Sequence, residues 1–398
     1  MTFIYQKMAW TGAGTVLGRV ALKLAPNVLR ELSEPLEVIL ISGTNGKTTT
    51  TRFVTEIMTA VGDAVSNGSG ANMPAGIVSA LATASSAQFG VLEVDERYLA
   101  RLCADTKPRV VVLLNLSRDQ LDRNPEPFLI AKQWRDTLMD LKGVIVVANC
   151  NDPLVYWAAS AAPEVTWVAA ESVWSGDSYW CPSCEGNLRH AARGMWCCGN
   201  CGLRRPEPDW CLGGDQLVAP LMRKNVTIDV ALPGRINVSN AAMAMTTCAT
   251  LGVPPEVAVE YVKRVQSVAG RYQVVPIRDR EVRLLLAKNP ASWAEVFPVL
   301  DESSSVLIIL NARTLDGRDT SWIWDVDFRA LTGRRVFVAG DRRLDLALRL
   351  DIAGVTFTIV SSLHEASALV PTTRLDIVAN YTGFLDLVKE LRPEVIHG

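Results

Sequence analysis

Residues 43–49 read Gly43-Thr44-Asn45-Gly46-Lys47-Thr48-Thr49, and these types in this order can handle phosphate. The glycines let the backbone turn back so that successive N–H groups face one anion. A helix opening at the lysine aims its positive end at the same point. Lys47 can bridge the β- and γ-phosphates of a nucleotide, and the Thr48 or Thr49 hydroxyl can ligate Mg²⁺. The expected ligand is ATP; the plain alternative is an ordinary glycine-containing turn.

A second cluster suits a metal. Cys181 and Cys184, then Cys198 and Cys201, form two C-x-x-C knuckles separated by thirteen residues. Four thiolates so spaced converge tetrahedrally on Zn²⁺. A Cys₄ set leaves no open coordination position, which implies a structural ribbon and not a catalytic metal. Cys197 competes with Cys198, but only Cys198 keeps the two-residue spacing to Cys201. A pair of redox dithiols is the other reading.

Carboxylates form a third group: Glu93, Asp95 and Glu96 after the apolar run 89–94, Asp119 and Asp122 after 110–116, and Asp152 after 144–148. Such clusters at strand ends are natural Mg²⁺ ligands, although any one alone is commonly a solvated turn.

These groups need a scaffold, and the chain has room for one. At 398 residues it holds about two domains plus an insertion. The formal net charge is −2, so no bulk attraction to nucleic acid or membrane follows. Hydrophobic residues make up 49% of the chain, yet no apolar run approaches the ~20 residues of a spanning helix. Residues 1–10 lack the pattern of a signal peptide. Nine cysteines, scattered apart from the cluster, suit a reducing compartment. The expectation is a cytoplasmic protein, possibly drawn to the inner membrane face by its substrate.

Val38–Ile41 reads as a buried parallel strand running into the phosphate loop, and Phe53, Ile57 and Met58 carry the helix after it. Strands alternating with helices predict a parallel sheet with ligands at its carboxyl ends. Residues 175–215, rich in Gly, Trp, Cys and Arg, read as an insertion that metal must fold. Beyond residue 270 the pattern alternates again: strands 283–287, 305–311, 335–339, 356–360 and 375–379, with helices 291–300, 326–331, 343–351, 363–369 and 383–391. The expected fold is α/β: residues 1–269 as a P-loop ATPase domain with the inserted ribbon, and residues 270–398 as a doubly wound Rossmann-like domain.

The loop is one residue shorter than the common P-loop pattern, and this form resembles the Mur ligase superfamily, which includes folylpolyglutamate synthase. Those enzymes make an acyl phosphate from a carboxylate with ATP and let an amine attack it. The resemblance implies that Glu93 binds a second Mg²⁺. The stretch Asn115–Asp122 resembles the superfamily's Asn-x-x-x-Asp-His-Leu-Asp, with Gln120 in place of His. Lys132 lies roughly where several members carry a carbamylated lysine, an ordinary surface lysine being the plain reading. Gly234-Arg235-Ile236-Asn237-Val238-Ser239-Asn240-Ala241 resembles G-x-x-N-x-x-N-A, which implies that Asn237 and Asn240 serve the adenine and the helix start; alone, Asn before such a helix is an N-cap. Gly270-Arg271 resembles the junction before the C-terminal domain, implying a γ-phosphate role for Arg271. Ala287-Lys288-Asn289-Pro290 resembles a Y-A-H-N-P loop with Lys288 where His is usual. Fewer residues precede the loop than the usual substrate domain needs.

The Cys₄ ribbon, Asp119-Gln120-Leu121-Asp122-Arg123 and the loop Asp316-Gly317-Arg318-Asp319-Thr320-Ser321-Trp322-Ile323-Trp324-Asp325 together resemble one branch, the ligase-like subunits of lipid II isoglutaminyl synthase. That resemblance implies ATP-dependent amidation of a D-glutamate α-carboxyl in the peptidoglycan stem, with ammonia from a GatD-type glutamine amidotransferase. It also implies that an aspartate of the loop completes the partner's glutaminase triad; Asp319 and Asp325 both lie there, and spacing does not choose between them. The three histidines sit in no Cys–His motif, so glutaminase chemistry within this chain is not expected. The alternatives are a stand-alone amino-acid ligase, with Arg313 or Arg318 holding a carboxylate, and a ribbon that binds nucleic acid through Arg189, Arg193, Arg204 and Arg205, against which the net charge speaks.

Overall fold

A computed structural model describes residues 14–68, 71–83, 86–119, 126–171, 177–219, 224–268, 271–277, 280–300, 305–314, 316–370 and 374–396. Gln120, Asp122, Arg123 and Gly270 lie outside these residues. The chain divides into two compact units, Met1–Ser117 with Glu126–Gln266, and Arg118–Pro125 with Ser267–Gly398.

The first unit contains strands β1 (Glu37–Ser42), β2 (Ala64–Ser66), β3 (Phe89–Val94), β4 (Val110–Leu113), β5 (Ile145–Asn149), β6 (Val165–Ala169), β7 (Leu188–His190), β8 (Trp196–Cys198), β9 (Trp210–Gly213), β10 (Gln216–Ala219) and β11 (Lys224–Thr227). Nine of them form one sheet in the order β11-β10-β9-β6-β5-β4-β1-β3-β2. From β2 to β9 neighbours run parallel; β9, β10 and β11 pair antiparallel. Strand β1 lies between β3 and β4, so the chain reverses direction across the sheet at β1, where a crevice opens beyond the strand ends. Near-continuous burial of Val38–Ser42, Gly90–Val94 and Val110–Leu113 is what a sheet covered on both faces demands.

The short pair β7–β8 forms a separate sheet that carries the cysteine cluster. It docks through Trp196, which is buried, packs against Tyr156 at 5.4 Å between ring centroids and donates its indole N–H to the Cys150 carbonyl at 3.0 Å. Strand β9, inside the stretch 175–215, belongs to the large sheet. Strands β2, β6, β10 and β11 were not anticipated from the sequence: three are edge or near-edge strands of three or four residues, too short to show a period.

The second unit holds β12 (Tyr272–Ile277), β13 (Arg280–Leu286), β14 (Ser305–Ile309), β15 (Val336–Ala339), β16 (Phe357–Ile359) and β17 (Arg374–Ala379), in the order β12-β13-β17-β14-β15-β16. All pairs are parallel except β12–β13. Side chains alternate between two cores: Val306 and Ile308 point into one, Leu307 into the other, as a doubly wound sheet requires. One buried ion pair crosses the sheet. Arg283 and Asp376, in register on β13 and β17, make a two-pronged contact at 2.5 and 2.6 Å, and Arg283 also donates to the Val299 carbonyl at 3.2 Å. Two expectations change here. β12 is an antiparallel edge strand that alternation alone did not reveal. The helix expected at 326–331 is instead two 3₁₀ turns, Ser321–Asp325 and Phe328–Leu331, because Asp327 bonds the Arg329 N–H and starts a fresh turn.

Candidate active site

At the carboxyl end of β1 the loop 43–46 turns with Gly43 at φ 144° and Gly46 at φ 86°, conformations that side-chain-bearing residues rarely adopt. Gly46 opens the helix Lys47–Met58, so the first-turn amides face the loop interior. A methyl at Gly46 would meet Oδ1 of Asn240 at 2.4 Å, which places Asn240 directly against the loop. The loop is pinned from β4: Asn115 accepts from the Asn45 N–H at 2.9 Å and donates to the Asn45 carbonyl at 3.0 Å. Thr44 Oγ1 donates to the Ser117 carbonyl at 3.2 Å and accepts from the Ser117 N–H at 3.0 Å. These four bonds fix the loop beside the first-turn N–H groups of the helix, an arrangement able to hold an anion.

Lys47 is buried. Its ammonium donates to the Gly43 carbonyl, to the Thr44 carbonyl at 3.2 Å and to Glu96 at 3.1 Å. The Thr48 hydroxyl donates to Glu93 at 2.7 Å. Glu93, fully buried at the end of β3, accepts a second bond from the Asn72 amide at 3.0 Å. Asn67 fixes the strand end by accepting from the Glu93 N–H and donating to its carbonyl, both at 2.8 Å. A buried carboxylate beside a threonine hydroxyl at a phosphate loop is a hard-oxygen donor set that fits Mg²⁺. Thr49, also buried, completes the loop residues that the fold brings together. Glu96 as the partner of Lys47, and Asn67 and Asn72 as supports of Glu93, were visible as residues but not as roles; polar residues at the mouths of neighbouring strands were the signal.

The remaining candidates are placed as follows. Asn237 lies in the first turn of the helix Arg235–Thr250 and donates to the Pro233 carbonyl at 2.7 Å, closing the turn before that helix. Asp152 is no free metal ligand: it caps the helix Pro153–Ala159 through the Leu154 and Val155 N–H groups and accepts from Leu116 N–H at 2.8 Å. Burial pushes its carboxyl up, to about 6, against those three donors. Lys132 stands on an exposed helix face and pairs with Asp136 four residues on, at 2.9 Å. Arg271 opens the edge strand of the second unit, its carbonyl accepting from Leu286 N–H.

In the second unit Lys288 pairs with Asp119, whose segment 118–125 belongs to this unit. Asp316 is buried and accepts from Arg313 N–H at 3.1 Å, from Thr382 N–H at 2.8 Å and from the Thr382 hydroxyl. Asp319 turns back on Ser321, accepting from its N–H at 2.8 Å and its hydroxyl at 3.0 Å. Asp325 is exposed and meets Arg118 at 3.2 Å. Trp322 packs on the core, whereas Trp324 is half exposed, with the Arg349 guanidinium 5.7 Å from its ring.

The four sulfurs of Cys181, Cys184, Cys198 and Cys201 all lie within 4.8 Å of one another, with Cys181–Cys201 and Cys184–Cys198 both at 3.6 Å. A tetrahedron with Zn–S of about 2.3 Å has edges of about 3.8 Å, so the set fits zinc. The Asn200 side chain donates to Cys184 at 3.3 Å and holds its thiol down, to about 6. Burial pushes Cys181 up, to about 12; a bound dication would favour its thiolate.

Comparison with known proteins fixes the lineage. Residues 41–175 match the family model described as the Mur ligase middle domain, and residues 286–384 match the MurT ligase C-terminal. The subunit MurT of lipid II isoglutaminyl synthase (glutamine-hydrolyzing) from Streptococcus pneumoniae is 30% identical, over 94% of this chain and 92% of that protein. The chain belongs to the MurT family. The MurT of Staphylococcus aureus strain N315 is likewise 30% identical over 94% of the chain. Solved structures share the fold: MurF from Acinetobacter baumannii has a TM-score of 0.68 at 17% identity, covering 96% of this chain and 81% of that one. A pseudomurein peptide ligase type C from Methanothermus fervidus has 0.67 at 16%, covering 90% and 79%. Membership in MurT makes the protein a ligase. Among the described residues, no helix is long and apolar enough to cross a membrane.

Proposed function

We propose that this chain is the ATP-consuming subunit of a lipid II isoglutaminyl synthase, converting the α-carboxyl of D-glutamate in the peptidoglycan stem to the amide. The observation that carries the reading is the convergence of the loop amides, Lys47, Thr48 and Glu93 at the end of β1 in a chain of MurT lineage. The carboxylate attacks the γ-phosphorus of ATP, ADP leaves, and an acyl phosphate remains. Ammonia then adds to the acyl carbon, and inorganic phosphate leaves as the amide forms. Mg²⁺, held by Thr48 and Glu93, supplies charge neutralisation on the phosphates. Lys47 turns from Glu96 toward the transferring group, and the loop amides stabilise its charge without reorganising. Asn240 lies against the loop on the side assigned to the nucleotide, and Asn237 shapes the turn next to it.

Ammonia comes from a GatD-type glutamine amidotransferase seated on the second unit. Asp325 is exposed, and Trp324 beside it lines a shallow pocket with Ile352. Leu344, Leu348 and Ile352 stand exposed at four-residue spacing on the helix Arg343–Ile352, an apolar stripe suited to a protein partner. Asp325 or Asp319 orients a partner histidine, fixing its tautomer as a triad carboxylate does. Asp325 suits this role better, since both oxygens of Asp319 are engaged by Ser321. The four cysteines hold a structural zinc ion.

Hydroxylamine trapping tests the chemistry. With lipid II, Mg²⁺ and ATP, hydroxylamine replacing ammonia should give a stem hydroxamate and one phosphate per product. ATP hydrolysis without hydroxamate would reject the acyl phosphate.

A further inference from the structure

The cysteine ribbon presents a face that neither the ATPase chemistry nor the metal uses. Register fixes which residues share it. Arg189 on β7 pairs with Cys197 on β8, and Cys197 bridges in turn to Arg204. On the other side, Trp180 bridges to Asn187, two residues before Arg189 and therefore on the same side of the strand. Trp180, Arg189, Cys197 and Arg204 thus line one face, and all four are exposed, Trp180 at 66%. The opposite face carries Trp196 and anchors the ribbon to the first unit. Among the described residues neither Arg189 nor Arg204 is paired with a carboxylate. Tyr179, next to Trp180, is 60% exposed.

A solvent-facing tryptophan beside two unpaired guanidinium groups is poorly matched to water and well matched to a bilayer interface. Indole and phenol rings settle at the headgroup level, and arginines there gain from anionic phosphates. We propose that this outer face docks on an anionic phospholipid surface and holds the enzyme where its substrate resides. The proposal rests on the lipid-linked substrate of the preceding reading, but its test does not need that substrate. The chemistry recognised is a headgroup layer of net negative charge.

The experiment is co-sedimentation of the full chain with large unilamellar vesicles that lack lipid II, made either of phosphatidylglycerol and phosphatidylethanolamine or of phosphatidylcholine alone. The expected result is binding to the anionic vesicles that weakens as salt rises from 50 to 200 mM (~fourfold ionic strength, shortening the screening length). Binding to phosphatidylcholine should be at least about tenfold weaker. Arg189→Glu with Arg204→Glu should lower the anionic partition coefficient at least about tenfold, and Trp180→Ser several-fold, with zinc content unchanged. Should the charge-reversed chain lose zinc, Arg189→Gln with Arg204→Gln serves instead. Equal binding to both vesicle types, no binding to either, or unchanged binding by variants that keep their zinc would each overturn the proposal. Hydroxamate formation is scored separately, so loss of one result leaves the other standing.

Discussion

The two larger sheets of this molecule end alike and differ in the polar groups at their carboxyl ends. At the carboxyl end of β1, a glycine loop and the first turn of a helix carry buried polar side chains, Lys47 and Thr48, and Thr48 donates to the buried Glu93 of the neighbouring β3. At the carboxyl ends of β14 and β17, Asn311, Asn380, Thr382 and Asp316 are buried and satisfy one another. Asn380 accepts from Asn311 N–H at 3.1 Å and donates to its carbonyl at 2.7 Å, while Asn311 donates to the Thr382 hydroxyl at 3.1 Å. The acids with chemistry to offer there, Asp319 and Asp325, lie outside this network. The same strand-to-helix geometry carries positive-φ glycines and a lysine at a helix start in the first unit, and a closed network of side-chain amides, a hydroxyl and a carboxylate in the second.

Substitutions that break this contrast should rank by how directly they touch it. Lys47→Ala should lower ATP turnover by about three orders of magnitude in a steady-state assay, since charge stabilisation of the phosphoryl group carries the rate. Breaking the second unit from within should cost the most stability: Asp376→Ala takes the carboxylate from the buried Arg283, and denaturant melts should show a loss of about 3–5 kcal/mol. Gly46→Ala forces a methyl against Asn240 at a positive φ; nucleotide affinity by calorimetry should fall at least about tenfold, with about 1–2 kcal/mol lost in stability. Asp316→Ala, which orphans the Thr382 and Arg313 N–H groups, should destabilise by about 1–3 kcal/mol. Asp325→Asn should sit at the small end, within about 0.5 kcal/mol, because its pair with Arg118 is exposed. That variant sharpens the comparison: glutamine-supported amidation should drop while ammonia-supported amidation stays.

Much of this was legible where residue type dictates geometry. The phosphate loop could be read because glycine at positive φ followed by Lys-Thr admits few uses, and the Cys₄ set because thiolate spacing is metric. The Arg283–Asp376 pair was not: two charges 93 positions apart inside apolar strands carry no local sign. Strand β9 was masked by the composition of the stretch 175–215, and Trp324 lies in a 3₁₀ turn, Ser321–Asp325, that has no side-chain cap to announce it. The roles of Glu96, Asn67 and Asn72 arise from neighbouring strand mouths, a relation that the sheet order creates.

The most direct test is product mass from lipid II and ATP with ammonium, and with glutamine, each in the presence and absence of a GatD-type subunit. The account predicts a stem lighter by about one dalton, as NH₂ replaces OH in acyl transfer. Ammonium should support this without the partner, and glutamine only with it. A stem that gains an added amino acid while ammonium gives nothing would contradict the account and make the chain a peptide ligase.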